Sequence, residues 1–308
     1  MSHHTLSRNL VRRCLASMVA LTAMLVMASS ALAGSRNYTV TAPDGVTLAV
    51  QESGNPQGTA VVLVHGLLGS RLYWDAQVGS VDLQRYRMIT YDLRGHGLSG
   101  KPTEPKAYSD GRRWADDLAA VIKASDARHP VLVGWSLGAA VISNYLAAYG
   151  DSQIAGVLYV DGVIEFKADQ IASHPAVYRD MVSPDLKTHL DAVRTFLGLC
   201  FHIQPDQDTS ARLLANAAMA SWDMQSAVMS MTIAASEGLS KTRIPFLLLY
   251  GERDALVNAG PAIARVKELV PGVRTMLYAN SGHTPFIEEA TRFNHDLAAF
   301  IDHAAAQH

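Results

Sequence analysis

Three side chains, far apart in a chain of 308 residues, are of the types that covalent hydrolysis needs: Ser136, Asp254 and His283. A serine hydroxyl is a weak nucleophile until a base takes its proton, and a histidine is that base near neutral pH. A carboxylate fixes the imidazole tautomer and stabilises its charged form. The setting of Ser136 singles it out. It is the centre of Gly134-Trp135-Ser136-Leu137-Gly138, preceded by the apolar run His129–Val133 and followed by the helix-like Ala139–Leu146. A Gly-x-Ser-x-Gly between strand and helix makes a tight turn that presents the hydroxyl at the strand tip, with small residues where strand and helix approach. The first-turn N–H groups of that helix then face whatever the serine attacks.

Such a constellation needs a frame with its strand ends on one edge, and the hydrophobic pattern predicts one. Tyr38–Val40 and Val46–Val50 alternate around Ala42-Pro43-Asp44-Gly45, which reads as an antiparallel hairpin. Strand-like runs follow at 59–64, 86–91, 129–133, 154–160, 244–250 and 273–278, the first of them an unbroken β-branched run. Runs of this kind are buried on both faces of a parallel sheet. Helical patterns lie between them, at 109–125 for instance, where Trp114, Leu118, Val121 and Ile122 share a face. The fold class is therefore α/β: a mostly parallel, doubly wound sheet with an N-terminal antiparallel hairpin. Alternation stops between Phe166 and Lys241, where only helices are predicted. One starts at Ser183-Pro184 and repeats Leu186, Leu190, Val193 and Leu197. The expected organisation is a core of residues 34–165 and 242–308 with a helical cap inserted at 166–241.

Asp254 follows the run at 244–250, and His283 the run at 273–278. In an open α/β sheet the carboxyl ends of the strands share one edge, so Ser136, Asp254 and His283 can meet there. Asp161 also follows a strand and is the alternative acid. Two backbone donors are expected for the developing oxyanion: Leu137 N–H, directly after the nucleophile, and Leu67 N–H, after His65-Gly66 at the end of the third strand. Trp135 and Leu68 are candidates to line the substrate pocket. His65, Arg94 and His96 read as loop-structuring residues.

The ordered motifs resemble those of the α/β-hydrolase superfamily, in its capped, serine-nucleophile branch of esterases and haloperoxidase-like perhydrolases. They are His65-Gly66, Asp92-Leu93-Arg94-Gly95-His96-Gly97, Gly134-Trp135-Ser136-Leu137-Gly138, Gly251-Glu252-Arg253-Asp254 and Gly282-His283-Thr284-Pro285. The resemblance runs from about Tyr38 to the end of the chain. It implies a Ser136–His283–Asp254 triad acting without a cofactor on a carboxylic ester or lactone of small to medium size. A serine at the elbow argues against the epoxide hydrolases and haloalkane dehalogenases of this branch, which carry aspartate there. Perhydrolase or haloperoxidase, amidase or peptidase, and carbon–carbon bond hydrolase chemistries use the same triad and stay open, as does a non-catalytic ligand-binding receptor.

Composition narrows the partners. Arg8, Arg12 and Arg13, an apolar stretch from Leu15 to Met27 and Ala31-Leu32-Ala33 form a secretory signal pattern over 1–33, with cleavage expected near Ala33/Gly34. The apolar stretch is shorter than the ~20 residues a membrane span needs. Export to the periplasm or the medium is the expectation, without stable membrane insertion. Without that segment the chain carries 23 basic and 28 acidic side chains, a net charge of −5, which disfavours nucleic acid as a partner. A small-molecule substrate is expected, and oligomeric state is not legible. Cys200 is then the lone cysteine, and no metal-ligand spacing is present.

Overall fold

The computed structural model describes residues 35–308, and the expected signal segment lies outside them. One eight-stranded sheet runs through the chain: β1 (Arg36–Thr41), β2 (Thr47–Gly54), β3 (Ala60–Val64), β4 (Arg87–Tyr91), β5 (Val131–Trp135), β6 (Gly156–Val160), β7 (Phe246–Gly251) and β8 (Arg274–Tyr278), in the spatial order β1-β2-β4-β3-β5-β6-β7-β8. β1/β2 and β2/β4 pair antiparallel and every other pair is parallel. The central strands β3, β5, β6 and β7 are buried along their whole length, which is why they read as continuous Val- and Leu-rich apolar runs with Ala, Gly and aromatics rather than alternating.

The helices, in chain order, are α1 (Asp75–Val78), α2 (Lys106–Ser109), α3 (Gly111–Ala124), α4 (Leu137–Tyr149), α5 (Pro175–Asp180), α6 (Leu186–Leu199), α7 (Gln207–Ala217), α8 (Trp222–Ala227), α9 (Ala235–Leu239), α10 (Ala259–Leu269), α11 (Pro285–Glu288) and α12 (Ala290–Ala305). A 3₁₀ turn, Arg71–Trp74, leads into α1. α3 and α12 bury the faces their spacing implies: Trp114, Leu118, Val121 and Ile122 in one, Phe293, Leu297 and Phe300 in the other. α4 ends at Gly150, whose φ of 73° is in the left-handed region that favours glycine.

Five helices, α5 to α9, lie between β6 and β7. Two expectations for α6 fail. Its N-cap is Asp185, which accepts from Thr188 N–H, and not Ser183. Its buried face is His189, Ala192, Val193, Phe196 and Leu197, whereas Leu186 and Leu190 are exposed. Val193 and Leu197 of the 186/190/193/197 repeat share the interior face with Phe196, and only its first half, Leu186 and Leu190, faces outward.

Candidate active site

Ser136 sits between β5 and α4 with φ 52° and ψ −117°, a strained backbone for a residue with a side chain and worth ~1–3 kcal/mol. The neighbourhood over-determines it. Ser136 N–H donates to Val160 C=O at 3.0 Å, and Val163 N–H donates to Ser136 C=O at 3.0 Å. A Cβ on Gly138 would stand 2.3 Å from Val64 O, and one on Gly134 would stand 2.7 Å from Gly138 C. Only glycine lets α4 and β3 close around the turn.

Asp254, after β7, and His283, after β8, meet beside the elbow. The Nδ1–H of His283 donates to Asp254 Oδ2 at 2.7 Å, and both side chains are almost fully buried. With Nδ1 engaged, Nε2 is the basic nitrogen. Asp254 Oδ1 accepts from Leu256 N–H at 2.8 Å and Val257 N–H at 3.1 Å, so the carboxylate is held at both oxygens. The His283 backbone is held on both sides as well: its N–H donates to Cys200 C=O at 3.0 Å, and its C=O accepts from Trp135 Nε1–H at 2.7 Å. Ser136 and His283 line one cavity, together with Leu67 and Leu137.

Asp254, the acid expected from sequence, is the one hydrogen-bonded to the histidine, and the alternative Asp161 is not. Asp161 lies behind it, fully buried, its Oδ1 accepting from Gly251 N–H at 2.8 Å. Oxygen and nitrogen atoms of Asp161, Asp254 and His283 come within 4.8 Å of one another.

The loop after β3 is tied by two buried histidines. His65 Nε2 accepts from Leu93 N–H at 2.9 Å, which leaves Nδ1–H to donate to Gly66 C=O at 2.8 Å. Gly69 N–H reaches the same carbonyl at 3.1 Å. In a trans peptide the C=O and the following N–H point in opposite directions. Anchoring Gly66 C=O against His65 therefore aims Leu67 N–H the other way. His96 Nε2 accepts from Leu68 N–H at 3.2 Å while its Nδ1–H donates to Arg94 C=O at 3.0 Å. Burial holds His65 down to about 4, with the Arg71 charge acting in the same direction, and burial together with the neighbouring His65 holds His96 down to about 3. Both imidazoles are neutral at physiological pH, as their hydrogen bonds require. Arg94, fully buried, forks onto both oxygens of Asp117 at 2.7 Å and also pairs with Asp44 at 2.9 Å. Loop structuring, as expected from sequence, is what Arg94 and His96 do.

The cavity encloses about 40 Å³ and has an apolar wall that includes Val163, Phe166, Tyr178, Phe196, Val228 and Met229. By the ~10–15 Å³ that one water needs, it has room for about three. Trp135 and Leu68, expected to line it, do not. Trp135 points into the core, stacked on Tyr73 with ring centroids 4.8 Å apart, and its indole N–H is used on His283. Leu68, at φ 58°, is fully buried and does not line the cavity. Sequence reading missed Tyr178 and Phe196, which come from the helical segment; no motif marks such residues. Glu288 accepts from the N–H groups of His202, Ile203 and Gly282 at 2.8–2.9 Å.

Residues 59–290 match the family model described as the alpha/beta hydrolase fold. The chain belongs to the α/β-hydrolase family. Among solved structures, this α/β-hydrolase is similar to a Burkholderia cenocepacia protein assigned as an aryl esterase, at 66% identity and a TM-score of 0.87 over 88% of this chain and 100% of that one. It is also similar to an esterase from Rhodococcus sp. ECU1013, at 30% identity and a TM-score of 0.80 over 86% and 98%. Among curated proteins, a bifunctional esterase/perhydrolase from Acinetobacter calcoaceticus is 28% identical over 85% of this chain and 98% of its own length.

Proposed function

We propose that this α/β-hydrolase is a serine carboxylic ester hydrolase working through an acyl-enzyme on Ser136. The observation that carries the reading is that His283, hydrogen-bonded to Asp254 at 2.7 Å, lines the same cavity as Ser136, Leu67 and Leu137. His283 Nε2 takes the hydroxyl proton as Ser136 Oγ attacks the ester carbonyl carbon. The tetrahedral oxyanion is met by the N–H groups of Leu67 and Leu137, each donor worth roughly 10²–10³ in rate. Collapse expels the alcohol or phenol, which leaves with the proton from His283. Water then attacks the acyl carbon, again losing a proton to His283, and Ser136 is regenerated.

Residues 166–241 act as a cap that sets the acyl group. A cavity of about 40 Å³ walled by Phe166, Tyr178 and Phe196 suits a short acyl chain. The likeness to a protein assigned as an aryl esterase supports a phenolic leaving group. Export rests on the signal pattern of residues 1–33.

The direct test is a fluorophosphonate probe, expected to modify the wild type and not Ser136→Ala. Failure to label the wild type, or equal labelling of Ser136→Ala, refutes the reading. A p-nitrophenyl ester series of graded acyl length then reads the pocket, with acetate and propionate expected above hexanoate. A second reading is favoured by the likeness to an esterase/perhydrolase: peroxide replaces water at the acyl-enzyme and a peracid leaves. Peracid formation from a short-chain acid and hydrogen peroxide separates the two.

A further inference from the structure

Asp161 is unused by the triad, yet its placement is costly. It ends β6 with φ 45°, left-handed backbone for a residue with a side chain, and its N–H is fixed to Leu249 C=O at 2.9 Å. The side chain is wholly shielded from solvent. Oδ1 accepts from Gly251 N–H at 2.8 Å, but no donor reaches Oδ2. An ionised carboxylate in such a place is expensive unless paired. None of the ion pairs among the described residues contains Asp161. The titratable groups around it are Asp254, His283, Tyr250 and Glu288.

The nearest carboxylate, Asp254, already uses Oδ1 for two backbone N–H groups and Oδ2 for His283, and a carboxylate oxygen has lone pairs to spare. An acceptor facing an acceptor needs a proton between them. Two buried carboxyls this close cannot both ionise. The one held by the imidazole and two N–H groups keeps the charge, and the other keeps the proton.

We propose, resting on the triad read above, that Asp161 is the neutral carboxylic acid of a four-membered relay, donating Oδ2–H to the Asp254 carboxylate and thereby positioning it against His283. Burial and the charge of Asp254 both push Asp161 well above the ordinary carboxylate range, in agreement with this assignment. The arrangement has a catalytic logic. Two negative charges beside His283 would hold the imidazole protonated at rest, and an imidazolium cannot accept the serine proton. One shared proton leaves a single charge, enough to stabilise the imidazolium once formed.

Infrared difference spectroscopy at neutral pH, with carbon-13 in the aspartate carboxyls, reads the protonation state directly. The expected result is a protonated-carboxyl band that shifts with the label, disappears in Asp161→Asn, and moves in Asp254→Asn, where the accepting charge is gone. Absence of such a band from the wild type, or a band that neither substitution affects, overturns the proposal. In turnover, Asp161→Asn keeps an acceptor for Gly251 N–H and a donor for Asp254, so kcat stays within about threefold, whereas Asp161→Val loses one hydrogen bond to a charged group, roughly tenfold in kcat at constant KM. Asp254→Asn loses roughly 10³–10⁴-fold. An Asp161→Asn loss as large as that of Asp254→Asn would make Asp161 an ionised acid and overturn the assignment. The band does not depend on esterase activity: a fluorophosphonate failure would remove the function while leaving the shared proton, and labelling without the band would remove only the proton.

Discussion

Replacing His65 by leucine separates the two jobs this side chain does without touching substrate. The first is structural. Leu93 N–H, buried and bonded only to His65 Nε2 at 2.9 Å, loses its acceptor, and a buried orphan donor costs about 1–3 kcal/mol. The second is kinetic. Gly66 C=O loses the Nδ1–H at 2.8 Å but keeps Gly69 N–H at 3.1 Å, so the peptide that carries Leu67 N–H is loosened rather than released. Full loss of one oxyanion donor costs roughly 10²–10³ in kcat, which sets the ceiling; with one of two anchors left, a fall of about 10- to 100-fold is expected. KM changes little, because the donor acts on charge that exists only in the transition state. Urea unfolding gives the first quantity, and steady-state kinetics on a short-chain p-nitrophenyl ester the second. His65→Gln, which can restore an acceptor for Leu93, recovers part of the stability. Stability lowered as expected with kcat unchanged, or a rise in KM alone, would refute the peptide-plane argument.

Two further outcomes follow from the same loops. Arg94→Met strands Asp117 in the interior and should destabilise by about 3–5 kcal/mol in urea, while Arg94→Met with Asp117→Leu recovers most of that, because the pair's worth is largely the avoided cost of an unpaired charge. For His96, the folded value near 3 lies below the ordinary imidazole value, so on acidification the unfolded chain binds the proton first. Its contribution is complete above an unfolded value of ~6.5 and is lost as pH falls toward about 3. The wild type therefore loses stability relative to His96→Gln over that interval, and parallel urea midpoints from neutral to acid pH would contradict it.

What was legible in the chain follows the range of the forces involved. Each strand announces itself through local composition, and the elbow through glycines that local crowding demands, so Ser136, Asp254 and His283 could be placed at strand ends before any coordinates. The Gly251-Glu252-Arg253-Asp254 motif already favours Asp254 over Asp161, whereas the contact of Asp254 with the imidazole and the position of Asp161 beside it are set by packing across three strands. Trp135 shows the opposite failure. An aromatic beside the nucleophile suggests a substrate contact, but alternation along β5 turns it to the other face, where its indole serves His283. The pocket wall was out of reach because Tyr178 and Phe196 owe their place to how α5 and α6 fold back. Leu186 and Leu190 likewise mimic a buried face that Phe196 and Val193 supply.

The carbonyl of Cys200, at the end of α6, accepts from His283 N–H and from Thr284 Oγ1–H, and Glu288 takes the N–H groups of His202 and Ile203. For anyone recombining relatives of this enzyme, that turn marks where a graft must not be cut. Transplanting residues 166–241 as one block would exchange the hydrogen-bonding seat of His283 along with the pocket wall. Other contacts of the helical segment carry the same restriction: Asn216 Nδ2–H donates to Leu68 C=O at 3.1 Å and Ser221 N–H donates to Gly95 C=O at 2.8 Å, so a graft must also reproduce the seats of the two loops it covers.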